Sequence, residues 1–302
     1  MEKMSLYAFT AALIALVPAA ALYLLHLVAR LRVGTRQLAT TGGGTVASGV
    51  VVGDSGRSNG QLGSFATLLG WLALAFMLLW MVTRAVATHR APYGNQYEFG
   101  ASFATGMLGV YLISERFFGE KRIGAIVVPI ALGMLLYVNS LPSAVVPLVP
   151  ALQSPVLTVH VAMAIVSYGA ATTAFGAAVL YLINYDKARP EGRLAWLPAP
   201  ATTDEIGYRA ATVALPAQAM LLLLGAYWGN IAWGRWWGFD PKETAALTTF
   251  LVFAAYMHLR TLRGWRGRRS ASLLVLAFAA TLFTYFGNLF LGGLHSYAGP
   301  LS

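Results

Sequence analysis

The sequence predicts an all-α polytopic membrane protein of about eight transmembrane helices, with both termini extracytoplasmic. Three observations predict it. The 302 residues are 58% hydrophobic and only 11% charged, against about 25% charged in soluble domains. Their mean hydropathy is +0.64. The apolar residues gather into runs of about 20, the length that crosses a bilayer core. The whole chain, 1–302, reads as one integral membrane domain.

The first run, 5–29, is too long for a cleavable signal, and its positive charges follow it rather than precede it. After it, 34–62 (GTRQLATTGGGTVASGVVVGDSGRSNGQL) is rich in Gly, Ser and Thr and predicts a flexible cytoplasmic linker. The second run spans 63–87. The third, 98–114, is cut short by Glu115 and Arg116. The fourth, 123–140, contains Pro129, and the fifth spans 159–184. A polar loop over 185–209, with charges of both signs, precedes the sixth run at 210–229. An aromatic loop at about 228–244 leads into the seventh, 245–262, and the eighth spans 271–294.

Lys and Arg on alternate loops set the orientation. Arg30, Arg32, Arg36 and Arg57, then Arg116, Lys121 and Arg122, fall on one side. So do Lys187, Arg189, Arg193 and Arg209, then Arg260, Arg263, Arg266, Arg268 and Arg269. Only Lys3, Arg84, Arg90, Arg235 and Lys242 fall on the other, which makes that side extracytoplasmic. The net charge of +10 is therefore a topology signal, and no nucleic-acid partner is expected. With no cysteine, the chain has no disulfide, thiolate metal site or haem attachment motif of its own. Neither polar loop carries a Walker-type phosphate loop.

Chemistry-bearing residues concentrate on the outer side. Trp228, Trp233, Trp236 and Trp237 fall in one short stretch, YWGNIAWGRWWGFDPKET, interleaved with Gly229, Gly234 and Gly238. An interfacial aromatic belt explains tryptophans there. Indole faces and bare glycine backbone would equally accept a flat ligand, and composition leaves both readings open. The DPKE end has the form of a helix start, with Asp240 as N-cap, Pro241 at the first position and Glu243 completing a capping box. Lys242 and Arg235, two of the few outer cations, could pair with an anionic ligand group.

Of the five histidines, His160 opens the fifth helix and His295 closes the eighth, on the tryptophan side. Two neutral imidazoles can bind iron from opposite faces of a planar macrocycle. No acidic cluster accompanies them to suit a carboxylate-rich metal site, and zinc would lack its remaining ligands. His26 and His258 lie near the cytoplasmic face, and His89 in the first outer loop. For His26 and His89 an interfacial side chain bonded to backbone or water suffices.

The stretch from Leu223 to Gly299, with its tryptophan core, DPKET, AAYMHLR and GLHSYA, closely resembles the haem-handling cytochrome c assembly family, and within it the System II type. A weaker match covers LQSPVLTVHVAMAIVSYGA around His160, and GNQYEF at 94–99. The resemblance implies that His160 and His295 are the external haem-iron ligands. It implies that Trp233, Gly234, Trp236, Trp237, Phe239 and Asp240 form the motif that holds haem b, and Trp228 of the same stretch is expected to contact the ring with them. It also makes His258 an intramembrane ligand that receives haem from the inner side, completed by a histidine of a partner subunit. Phe239 stands where the family usually has Trp, and Ala245 follows KET where Trp is common. Asn95, Tyr97 and Glu98 match a family loop segment.

The resemblance implies cytochrome c biogenesis in a bacterial plasma membrane, or a thylakoid membrane for a plastid protein. Partners would be a CcsB/ResB-type membrane subunit and apocytochrome c, whose CxxCH thiols receive the haem within a haem lyase complex. The alternatives are a System I haem-exporting component, which is shorter, or a haem b electron-transfer subunit, which buries its histidine pairs within the bundle. A transporter would want midplane carboxylates or broken helices.

Overall fold

The computed structural model describes residues 1–39, 55–145, 147–287 and 290–295. Eight long helices make up the fold: α1 (Glu2–Ala39), α2 (Ser55–Thr88), α3 (Gln96–Phe118), α4 (Gly124–Asn139), α5 (Pro155–Asn184), α6 (Pro200–Trp233), α7 (Pro241–Leu262) and α8 (Arg268–Phe286). Each matches one of the eight expected runs, and the described residues contain no strand. Seven are long and apolar enough to cross a membrane; α3 is the one outside that set. It carries Glu98 in its first turn and Glu115 in its last, both buried.

Those carboxylates are tolerated because donors from α1, α2, the loop before α3 and α3 itself satisfy them. Glu98 accepts from Arg84 Nε at 2.9 Å, Arg90 Nη1 at 2.6 Å and the Gly94 amide at 2.8 Å. Glu115 accepts from Tyr23 Oη at 2.6 Å, and from Thr67 and Tyr111. A buried charge without partners would cost far more than such a helix could bear. Glu115 therefore does not end the third helix, which runs on to Phe118 and closes on Gly119 in the left-handed conformation, φ 67°.

Three other expected boundaries move. The segment 34–62 is helical at both ends, over 34–39 in α1 and 55–62 in α2, and its remainder lies outside the described residues. α6 starts at Pro200 rather than near 210, because Pro200 suits the first helical position and Asp204 finds Arg260 of α7 in a two-pronged pair at 2.8 and 2.7 Å. α8 stops at Phe286, and His295 sits beyond it in a turn rather than closing the helix. The residues of GLHSYA after His295 lie outside the described residues.

α5 is the central helix, packed on α3, α6 and α8. Its Gly169, Ala170, Ala171, Ala174, Gly176, Ala177 and Ala178 are all buried, and small residues let membrane helices approach closely. The limit is reached where α5 crosses α3: a Cβ on Gly169 would lie 2.5 Å from the Gly106 carbonyl oxygen. α2 instead exposes Leu68, Leu72, Leu79, Val82 and Val86, as lipid contact requires.

The two ends of the bundle differ. At one end Arg122 donates to the Trp196 carbonyl, Lys121 to Ser64, and Arg260 pairs with Asp204. At the other, Arg84 donates to the Ser143 carbonyl, Asn95 to that of Ala144, and Trp228 to that of Ala151. A deep cavity opens at the second end.

Candidate functional site

His160 and His295 line one cavity, although α6 and α7 lie between them in sequence. The cavity encloses about 1140 Å³ of atom-free space, counting its open mouth. Its walls come from α3 (Phe99, Phe103), α5 (Val161, Ala164, Tyr168), α6 (Leu221, Leu222, Gly225, Trp228) and α7 (Lys242, Ala246), with Trp237 and Thr284.

Each histidine is oriented by its Nδ1. That of His160 lies 2.8 Å from the Leu221 carbonyl oxygen. A carbonyl can only accept, so Nδ1 carries the hydrogen and the neutral ring keeps its lone pair on Nε2. Gly225 makes room for the ring: a Cβ there would sit 2.8 Å from His160 Cε1. Nδ1 of His295 lies 2.8 Å from Asp240 Oδ1, and a carboxylate fixes the same tautomer. Burial pushes the His295 imidazole down to about 4, with nearby Lys242 adding to the shift and Asp240 opposing it. Burial works to raise the Asp240 carboxyl, but His295 and the amides of Lys242 and Leu294 outweigh it and hold it below the usual carboxylate range.

The capping box is present as the sequence predicts: Asp240 accepts from the Lys242 amide at 2.9 Å, and Glu243 Oε2 accepts from the Asp240 amide at 3.2 Å. Glu243 also takes the Gly238 amide at 2.8 Å, so Phe239 is held between two amides that converge on one carboxylate. Its backbone is left-handed, φ 55°, and its ring is 77% exposed. Lys242, in the first turn of α7, turns its ammonium into the cavity, 4.9 Å from the centre of the Phe99 ring.

The tryptophan stretch divides. Trp228 and Trp237 line the cavity. Trp228 is 2% exposed, donates to the Ala151 carbonyl at 2.8 Å and meets Trp233 edge-on at 4.6 Å. Trp233 does not line the cavity; it packs edge-on against the His295 ring at 4.9 Å. Trp236 is 57% exposed, beside Tyr227. Nor do the glycines form a shelf: Gly229 admits the Trp233 ring, Gly234 ends α6 with φ 73°, and Gly238 takes the Arg235 side chain. Arg235 is exposed and outside the cavity wall, which leaves Lys242 as the cation among the described residues that line it.

His258 is exposed on α7, away from this cavity. His26 is buried on α1, against Gly63 of α2. Of the GNQYEF segment, Asn95 caps α3, Tyr97 accepts from Trp80 Nε1 at 3.2 Å, and Glu98 is the buried ion-pair hub. Tyr93, Gly94, Leu152 and Leu157 divide the cavity from a second hollow lined by His89 and Arg90. Sequence reasoning does not find Phe99, Leu221 or Gly225. A lone glycine facing a histidine across two helices leaves no local signal.

These features define an integral membrane protein with a deep aromatic cavity that presents two oriented imidazoles and one ammonium. The chain belongs to the cytochrome c assembly protein family, whose profile matches residues 62–295. It is similar to the cytochrome c biogenesis protein CcsA of Gloeobacter violaceus, 30% identical over 294 residues, covering 78% of this chain and 86% of that one. The CcsA protein of Chlamydomonas reinhardtii is 36% identical over 240 residues, covering 76% of this chain and 67% of the relative. Among solved structures, the cytochrome c haem lyase CcmF has the same fold, with a TM-score of 0.59 at 17% identity. That match covers 92% of this chain but 46% of the CcmF chain, so this protein spans about half of that one.

Proposed function

We propose that this protein is a haem-handling subunit of cytochrome c biogenesis, with haem b as its cargo, bound in the cavity between His160 and His295. One observation carries the reading: two histidines remote in sequence line one aromatic cavity, each with Nδ1 committed to a protein acceptor. The tautomer this fixes puts the lone pair on Nε2, the nitrogen that would meet iron. The donor chemistry fits an iron porphyrin. The two imidazoles would ligate the iron, Phe99, Trp228 and Trp237 would offer apolar contact to a ring, and Lys242 would answer a propionate. Among the described residues no group of three or more His, Cys, Asp or Glu gathers as an alternative metal site.

The cavity end is assigned to the outer face of a bacterial plasma membrane, since Arg263 and Arg266, between α7 and α8, and Arg268 and Arg269, which open α8, lie at the opposite end. With a CcsB/ResB-type partner, the site would present haem to apocytochrome c as part of a haem lyase complex. Each CxxCH thiol of the client adds across a vinyl group, sulfur to one carbon and hydrogen to the other. The chain's own residues bind, orient and shield; the bond-making groups belong to cargo and client. His258, exposed on α7 about 21 Å along the helix from Thr244, is assigned to an inner station completed by the partner subunit.

The test is visible spectroscopy of the full chain purified with its partner. His160→Ala and His295→Ala should each lose the low-spin haem spectrum and mature client cytochrome. A native spectrum and normal maturation in both variants would refute the proposal.

A further inference from the structure

The Asp240 carboxylate serves more donors than a helix cap requires. Oδ1 lies 2.9 Å from the Lys242 amide and 2.8 Å from His295 Nδ1, while Oδ2 accepts from the Leu294 amide at 2.6 Å. Ser, Thr or Asn would cap α7 about as well. Ser and Thr are too short to reach the imidazole as well, and Asn reaches it without charge. The turn bearing His295 is fitted to this acid: a Cβ on Gly293 would collide with Oδ2 and lie 3.0 Å from Pro241 Cδ. Trp233 and Trp228 close on the same ring, with centroids 4.9 and 5.8 Å away. One edge of His295 is thus held by the acid and its flanks by two indoles.

We propose that Asp240 is a positioning residue for His295: it sets the ring's tautomer and direction, and its charge strengthens Nε2 as a donor, biasing bound iron towards its oxidised form. This rests on the haem reading of the cavity. An anionic acceptor on Nδ1–H gives an imidazole more electron density to donate, which favours the more positive oxidation state of the metal. The same carboxylate starts the helix whose first turn carries Lys242. The axial ligand and the ammonium are therefore registered on one group, so a displacement of either is felt by the other.

The experiment uses the full chain with its partner subunit, loaded with haem, in three variants. Asp240→Asn keeps a cap and an acceptor but removes the charge. Asp240→Ser keeps the cap but cannot reach the ring. His295→Ala removes the ligand. Asp240→Ser should weaken haem binding about 10–100-fold, the usual effect of losing an outer-shell partner. Asp240→Asn should bind within a few-fold of wild type, yet shift the ferric-to-ferrous ratio about tenfold towards ferrous at fixed poise, about 59 mV for one electron. Wild-type affinity in Asp240→Ser and wild-type potential in Asp240→Asn, with haem lost in His295→Ala, would overturn the role of Asp240 alone. A wild-type spectrum in His295→Ala would overturn the haem reading together with it. Should Asp240→Ser fail to fold, the potential of Asp240→Asn decides.

Discussion

The imidazole of His160 lies against the bare backbone of Gly225: a Cβ there would come within 2.8 Å of Cε1 and 3.0 Å of Nδ1. The hydrogen bond from that Nδ1 to the Leu221 carbonyl, one helical turn earlier, exists because α6 presents no side chain at this point. Gly225→Ala should therefore push the ring off α6, at about 1–3 kcal/mol of stability, and lower haem affinity about tenfold. Thermal unfolding and haem titration of the purified variant check this. Unchanged affinity would mean that α6 does not set the direction of His160.

Lys242 carries the cavity's cation, beside Phe99. Lys242→Met should weaken binding of haem about tenfold, the scale of one charge-assisted hydrogen bond. Binding of the haem dimethyl ester, which lacks carboxylates, should stay within about threefold of wild type. Equal losses for both ligands would show that Lys242 acts through packing and not through charge.

Three of the four clustered tryptophans should separate into two classes. Trp228→Phe leaves the half-buried Ala151 carbonyl without this donor, which costs about 1 kcal/mol. Trp233→Ala removes the ring packed on His295. Both should lower haem affinity. Trp236→Ala, at a site 57% exposed, should leave affinity within about threefold. A large loss in Trp236→Ala alone would place the haem contact on the outer side of the loop.

The ion-pair hub at Glu98 tests how the cavity wall is anchored. Glu98→Gln leaves the Arg84 guanidinium, 2% exposed, without its countercharge, and breaking such a pair costs about 3–5 kcal/mol. Arg90→Gln should cost about 1 kcal/mol, because its partly exposed side chain retains water. Thermal melts of the two variants in the same detergent give the comparison. Equal losses would mean that burial does not set the cost.

Phe239 holds a left-handed backbone that an aromatic residue adopts only at a cost of about 1–3 kcal/mol. Glu243 compensates by binding the amides on either side. Phe239→Gly should leave stability unchanged or slightly higher, since the ring is 77% exposed. Glu243→Ala should lower it by about 1–2 kcal/mol. Thermal melts of both variants, with and without the partner, check this. If Phe239→Gly destabilises the complex but not the isolated chain, the ring is a contact of the partner or client.

Legibility follows the range of each interaction. The eight helices can be read because an apolar run is a local property, and the start of α7 because its capping box spans only Asp240 to Glu243. Glu115 looks like a helix end in the sequence because its donor Tyr23 lies 92 residues away. The beginning of α6 is hidden because Arg260, which makes Asp204 welcome there, lies 56 residues on. The tryptophans suggest a shelf for a flat ligand. In the fold, Trp233 supports His295 while Trp228 and Trp237 face the cavity.

By itself the sequence determined an all-helical membrane chain, its element order, the capping box and the five scarce histidines, because hydropathy and capping act within a few residues. The tertiary structure alone decided that His160 meets Leu221 and Gly225, that Asp240 both caps α7 and holds His295, and that Lys242 and not Arg235 enters the cavity. Those pairings depend on where helices far apart in the chain cross. Crossing points are set by small residues and close backbone approach summed over the whole bundle, a quantity that no local window contains.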